Sequence, residues 1–532
     1  MTCTRRTRSP AVFYSFAAFA AGCFAPAAHA QLVDLQQSPN VENVGIAKSL
    51  GEQNGAGVGN VLTPNSSIFI IKRDPARSIR RGRQLFQRKF TEWQGLGPRT
   101  GDGTGNINLD PTIGAGIADS CAGCHGRPRG AAGFGGDVAT RPDSRDAPHL
   151  FGLGLQEMLA DEITADLRAI RAQASAQARS TGVAVTRPLT SKGISYGSIR
   201  AFANGTFDTS QVDGVDPDLR VRPFFAHGGT ISIREFVVGA FNAEMGIDAV
   251  DPLLNTAANG GTITTPSGMV LDGRLDRIER PPAAFPGQDS DGDGVLNELP
   301  TALVDHMEFY LLNYFKPGIY RQTALTEEGL ATFNQIGCNG CHIQDLTINK
   351  DRRVADVETV YDPQRGIFNQ LFATASLRLV EQNDGTGHPT LKLPAQQSFV
   401  VRNFFADMKR HDLGPKFHER NYDGTLRTRF MTEPLWGVGS TPPYGHDGRS
   451  INLREVILRH GGEATNERNA FAALSESSKN AIFEFLNSLV LFPPDDTASN
   501  LDPGNPSAAG FPQRGHGSIN LSVLFNNPNE RE

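Results

Sequence analysis

Apolar positions along the chain recur mostly at the three- and four-residue spacing of amphipathic helix, and strand-type alternation is scarce and short. Helical periodicity covers about residues 78–93, 156–179, 301–315 and 327–336. Loop-forming composition separates these segments. Residues 126–146 are rich in Gly, Arg and Pro, and 250–285 are rich in Gly, Thr and Pro, which reads as an inter-domain linker. Residues 31–65 are polar and weakly patterned, and the tail after 492 is full of Pro, Asn, Gly and Asp, the composition of irregular chain. The pattern predicts a mainly α protein with long loops, and the 57 glycines and 33 prolines fit turn-rich connections between its helices.

Composition narrows the class. With 532 residues there is room for two or more domains. A net charge of -6 and a pI near 6.1 give no basic footprint, so no nucleic-acid partner is expected. The first thirty residues have a basic start (Arg5, Arg6, Arg8), an apolar run over 11–24 and a closing Ala28-His29-Ala30. They read as a secretory signal, and the run is short for a membrane span. The expectation is a periplasmic or secreted protein with no membrane span in the mature chain. A competing reading makes Cys23, after Ala20-Ala21-Gly22, a lipoprotein anchor, although alanine opening that box is a weak match. The Arg5-Arg6 pair is only part of a twin-arginine signal.

Six cysteines are present, and beyond Cys3 and Cys23 all fall in two copies of one motif. Cys121-Ala122-Gly123-Cys124-His125 and Cys338-Asn339-Gly340-Cys341-His342 both have the C-x-x-C-H spacing of c-type haem attachment. The thiols can form thioethers with the haem vinyl groups, and the histidine then sits under the iron. A lone C-x-x-C also suits a redox disulfide or half a zinc site, but two copies each followed by histidine favour two covalently attached c-type haems. The surroundings repeat as well. His227-Gly228-Gly229 leads to Arg234-Glu235, and His446-Asp447-Gly448 leads to Arg454-Glu455, a His-x-Gly turn before an amphipathic helix each time. Two related haem domains in tandem account for this, and chance likeness of two helix starts is the alternative.

A further block of motifs carries a family resemblance. It comprises Phe151-Gly152-Leu153-Gly154-Leu155, Arg410-His411-Asp412-Leu413-Gly414, Glu433-Pro434-Leu435-Trp436-Gly437, Tyr444-Gly445-His446-Asp447-Gly448-Arg449 and His460-Gly461-Gly462-Glu463-Ala464. Over roughly 80–490 the chain resembles the di-haem cytochrome c peroxidase and MauG superfamily, within it the di-haem oxidoreductase branch sometimes labelled thiol oxidoreductase-like. The resemblance implies two tandem cytochrome c-type haem domains. It implies a substrate-haem domain over 66–260, a linker with a candidate calcium loop over 261–325 and an electron-transfer domain over 326–492, while the leader over 1–30, the extension over 31–65 and the tail over 493–532 are read from composition and lie outside the resemblance.

The resemblance also assigns ligands. In the peroxidases a methionine fourteen residues past the His-Asp-Gly histidine binds the second haem, and here that place is taken by His460. The second haem would be held by His342 and His460, with His446 as a propionate or outer partner. The plain alternative is that His460 caps its helix before Gly461-Gly462. Aligning Arg234 with Arg454 puts Ala240, beside Phe241, where His460 stands, and neither can bind iron. The first haem, on His125, is then open on that side unless His149 closes it. Glu244, one turn beyond Ala240 in a run that resembles the superfamily's distal Glu-Met segment, could carry the peroxide proton, or simply be a solvated helix-end glutamate. The peroxidases carry a tryptophan between their haems at the place of Ala226-His227, and this chain lacks it. Trp93 and Trp436 are expected to pack against haem or core. Asp289, Asp291 and Asp293 have calcium-loop spacing with Gly294 at the sixth position, but the twelfth is Pro300, so Asn297 or Glu298 would finish the shell.

The function expected is an oxidoreductase that reduces hydrogen peroxide with electrons from an external donor, a small cytochrome c or cupredoxin. The alternatives are a haem oxygenase of the rubber-cleaving type and a non-catalytic di-haem electron carrier.

Overall fold

The computed structural model describes residues 59–60, 62–97, 118–126, 137–138, 145–314, 316–361, 364, 371–382, 391–420 and 424–491. The expected leader with Cys3 and Cys23, nearly all of the extension, most of the 126–146 loop and the tail lie outside the described residues. In chain order, α1 (Ser67–Arg73) and α2 (Pro75–Gln87) precede α3 (Cys121–His125), the helical turn of the first motif. There follow α4 (Leu153–Thr181), α5 (Ile233–Met245), α6 (Pro252–Ala258) and α7 (Thr301–Leu312). Beyond them come α8 (Ala324–Gln335), α9 (Leu453–Arg459), α10 (Thr465–Ala473) and α11 (Glu476–Asn487).

The helices begin where their sequences supply caps. The Asp74 carboxylate accepts from Arg77 N–H with Pro75 in the first turn of α2, and Thr323 and Thr326 form a reciprocal capping box on α8. The periodic segment at 78–93 stops at Gln87, and the long one at 156–179 extends to 153–181 between Gly152 and Gly182, both left-handed.

The mainly α expectation is overturned, because the chain is 38% helical with 17% strand. One hairpin pairs Val185–Ser191 with Ile194–Ala201, and another pairs Ala355–Tyr361 with Leu371–Leu377. In the first, Pro188 borders a bulge and Gly197 sits at φ +77, so the alternation of apolar residues is interrupted and hard to recognise. Its buried Leu189, Tyr196 and Ile199 share a core cluster with Leu159, Ile163 and Leu167 of α4. The 250–285 stretch also departs from a loose linker. It forms α6 and a small hairpin, Thr262–Thr264 with Val270–Asp272, and buries Leu254, Met269 and Leu271.

What repeats is a pair of crossing helices next to each motif. Helix α2 packs on α7, and α8 packs on α11. Both crossings turn on a glycine. A Cβ on Gly82 would lie 2.3 Å from the His306 carbonyl oxygen, and one on Gly329 would lie 2.0 Å from that of Ala481. The starts of α5 and α9 are built alike too. Each follows an isolated antiparallel bridge, Phe224 to Thr230 and Tyr444 to Ser450. Ser232 and Asn452 cap the amides of Glu235 and Glu455, whose carboxylates accept in return from Ile231 and Ile451 N–H. This shared register sets Ala240 opposite His460, and Ala226 rather than His227 opposite His446.

Candidate haem-binding cavity

Each motif presents its histidine through a local turn and a distant backbone carbonyl. In α3 the Ser120 hydroxyl caps Gly123 N–H, so Cys121, Cys124 and His125 share one helical turn. In the second motif Gly337 takes φ +94 and His342 N–H donates to the Cys338 carbonyl at 3.0 Å. His125 Nδ1 donates to the Pro148 carbonyl at 2.8 Å, and His342 Nδ1 donates to that of Phe405 at 3.0 Å. A carbonyl can only accept, so both rings carry their proton on Nδ1 and their lone pair on Nε2, the arrangement of a metal-ligating imidazole. Burial pushes His342 down to about 4, which keeps that lone pair unprotonated at neutral pH. Burial also raises the thiols, Cys121 and Cys338 to about 12 and Cys124 to about 11. Thiols held neutral in this way, Cys121, Cys124 and Cys338, are not poised as thiolates for disulfide exchange.

Both motifs open onto one cavity of about 790 Å³, which also reaches His446, His460, Ala240, Glu244 and Trp436. Four residues of the wall, Trp436, His446, Glu467 and Arg468, each carry a buried side-chain atom without a hydrogen-bond partner. Trp436 is 2% exposed and its Nε1 has none. His446 Nε2 lies 2.9 Å from Glu419 Oε1 but outside hydrogen-bonding alignment, while its ring stacks on Phe430. Unsatisfied donors on a cavity wall suit a ligand that carries carboxylates. With His125, His342, Cys124, Cys338 and Cys341 on its wall and Cys121 on the smaller pocket that shares Cys124 and His125, the residues fit haem. Its propionates would meet the Trp436 and His446 N–H groups.

The two ends of the cavity differ. At the second motif, His460 is the residue that ends α9, and its Nδ1 donates to the Val456 carbonyl at 2.7 Å, which again leaves the lone pair on Nε2. The capping and ligand readings are therefore compatible, since the side chain also lines the cavity. At the first motif, Ala240 lines the wall, while Phe241 turns into the core and packs edge-on against Phe90. Glu244 follows one turn later, half-buried, on the wall of the main cavity and of a smaller apolar one of about 60 Å³. Its charge helps raise the Cys124 thiol. His149 does not offer a ligand nitrogen. Its Nε2 donates to the Trp436 carbonyl at 3.0 Å and its Nδ1 accepts from Phe151 N–H at 3.2 Å.

Several neighbours were not singled out from sequence. His411 sits between Asp407, 2.8 Å from Nε2, and Glu463, 2.7 Å from Nδ1. Burial opposes its charge, but hydrogen bonds donated to Asp407 and Cys341 outweigh that and raise it to about 11. The Arg410-His411-Asp412 motif was the available signal, but of the two carboxylate partners only Asp407 is local, while Glu463 lies 52 residues away. Trp436 packs in the core as expected, T-shaped on Phe404 at 4.9 Å, whereas Trp93 is 66% exposed, contrary to expectation.

Ligand atoms of Asp289, Asp291 and Asp293 lie within 4.8 Å of one another, and Asp291 belongs equally to a second group with buried Asp248 and Glu298. The loop carboxylates also cap their own turn, with Asp289 accepting from Gly292 N–H at 2.7 Å and Asp293 from Val295 N–H at 2.7 Å. Sequence spacing identified the loop and proposed Glu298, but gave no sign of Asp248, which follows α5.

Residues 342–489 match the family model described as "Di-haem oxidoreductase, putative peroxidase". The match agrees with the resemblance drawn from the motifs, and it takes in His342, His411, His446 and His460 while ending short of the first motif. A family of that name comprises oxidoreductases with two haems. No curated protein matches the chain.

Proposed function

We propose that this chain is an exported oxidoreductase with two covalent c-type haems, which reduces hydrogen peroxide at the His125 site with electrons relayed from the His342 site. The observation that carries this reading is the inequality of the two ends of one cavity: His460 faces the second motif, and Ala240 with Glu244 faces the first. Haem supplies an iron that exchanges electrons and, where an axial position is open, takes an oxygen ligand. His125 and His342 hold and orient the metal through Nε2. His460 closes the second site, and Ala240 leaves room for substrate at the first. Glu244 would accept a proton from one peroxide oxygen and return it to the other as the O–O bond breaks, and two electrons from the external donor with two protons from solvent would complete reduction to two waters. A histidine in place of methionine at 460 keeps the relay at lower potential than its methionine-bound counterparts. The donor would be a small cytochrome c or cupredoxin, and a cation held by Asp248, Asp291 and Glu298 would brace the end of α5.

The test is the ferric absorption spectrum of the purified holoprotein before and after hydrogen peroxide. One high-spin and one low-spin haem, with a rapid change on mixing, is the expected result. Two low-spin haems that ignore peroxide would instead establish the electron carrier.

A further inference from the structure

Behind the cavity the two motif histidines are tied to one another. His125 donates from Nδ1 to the Pro148 carbonyl at 2.8 Å. The next residue, His149, donates from Nε2 to the Trp436 carbonyl at 3.0 Å. One residue back along that strand of chain, Leu435 N–H donates to the Phe404 carbonyl at 3.2 Å. The adjoining Phe405 carbonyl accepts from His342 Nδ1 at 3.0 Å. Covalent segments and these hydrogen bonds alternate without a gap from one motif to the other.

His149 is the pin of this clasp. Because its Nδ1 accepts from Phe151 N–H, its proton must sit on Nε2, where it reaches across 287 residues of sequence to Trp436. Burial holds the ring neutral, down to about 4. Two glycines make the approach close enough. A Cβ on Gly152 would strike the Trp436 ring at 2.6 Å, and one on Gly437 would lie 3.1 Å from His149 Nε2. Both have positive φ, +75 and +82, so the backbone favours glycine at each as well. The Trp436 ring in turn packs on Phe404, next to the carbonyl that orients His342.

We infer that His149 is a positioning residue that couples the two haem sites, fixing both iron-facing histidines through one hydrogen-bonded path and linking them electronically along it. The inference rests on the haem reading above. Outer-shell hydrogen bonds orient a ligating imidazole and raise its basicity, and connected hydrogen bonds polarise one another, so a change at one histidine is felt at the other. When one electron passes from reduced iron at His342 to oxidised iron at His125, no proton moves and His149 stays neutral.

The test uses the holoprotein, with ascorbate as reductant, and compares His149→Gln, whose amide N–H can reach the Trp436 carbonyl, with His149→Asn, whose shorter side chain cannot. Haem content is counted first. A wild-type chain without two haems overturns the proposed function rather than this coupling. With both haems present, spectral redox titration reads whether reduction of one shifts the other, and stopped-flow absorbance reads the rate of electron exchange. Mutual shifts are expected in wild type and His149→Gln. In His149→Asn the two haems should titrate independently, with exchange slowed by about tenfold or more. If both variants behave like wild type, or both lose the coupling alike, the donor at 149 is not what links the sites.

Discussion

At the scale of single residues, the proposed chemistry divides between histidines assigned to hold iron and a glutamate assigned to handle a proton. The histidines of the two motifs have their tautomers set by backbone carbonyls, so their orientation does not depend on other titrating groups. Glu244 lines the cavity near the first motif, and the proposal gives it the acid–base role toward peroxide. Glu244→Gln is expected to leave haem content and spectra intact while lowering peroxide turnover by about 10²–10⁴-fold, the usual yield of general acid–base catalysis. Steady-state turnover with a reduced cytochrome as donor checks this, and unchanged turnover would return Glu244 to the status of a helix-end glutamate. The C-x-x-C-H motifs were legible because their spacing is local, whereas His460, fourteen past His446, was reached only through the family resemblance. His149 and His411 escaped that reading, because their roles come from partners such as Trp436 and Glu463 that folding brings to them.

At the scale of elements, helix pairs frame the motifs, and glycines set how closely the pairs cross. Gly329 is inside α8, where helix propensity alone would make Gly329→Ala stabilising by about 1 kcal/mol. Sterics predict the opposite sign, since the new Cβ meets the Ala481 carbonyl oxygen at 2.0 Å and the Phe485 Cβ at 2.8 Å. Overpacking of this kind costs about 1–3 kcal/mol, and a lowered denaturation midpoint would show it. Repeated sequence does not guarantee repeated environment at this scale. Arg234 of α5 is fully buried among Asp251, Asp305 and Glu308, while the matching Arg454 of α9 pairs with Glu476 at the surface. The 185–201 hairpin was missed because a bulge at Pro188 and Gly197 interrupt its short alternation, and packing of Leu189, Tyr196 and Ile199 on α4 supports it from outside the hairpin.

At the scale of the whole molecule, buried neutral histidines make the fold sensitive to acid. His306 lies in the α2–α7 crossing with its Nδ1 2.9 Å from the Ser78 hydroxyl, and burial, aided by Arg81 and Arg77, pushes it down to about 3. Between the unfolded value near 6.5 and that folded value, the unfolded chain binds the extra proton, so stability is lost as pH falls. The advantage of wild type over His306→Gln should therefore shrink by up to about 3 kcal/mol between pH 7 and pH 4. Urea unfolding at several pH values measures it, and a constant difference would mean the ring is not buried neutral. His149 and His342 titrate in the same sense. By itself the sequence determined which residues to examine as haem-attachment candidates, because a C-x-x-C-H turn is defined within five residues. It also determined the likeness of the two halves, since capped helix starts are local. Tertiary structure alone decided that both motifs share one cavity, that Trp436 and His149 join them from behind, and that Phe241 points to the core while Ala240 lines the wall. Those outcomes depend on carbonyls, rings and glycines far apart in sequence, whose distances exist only once the chain has packed.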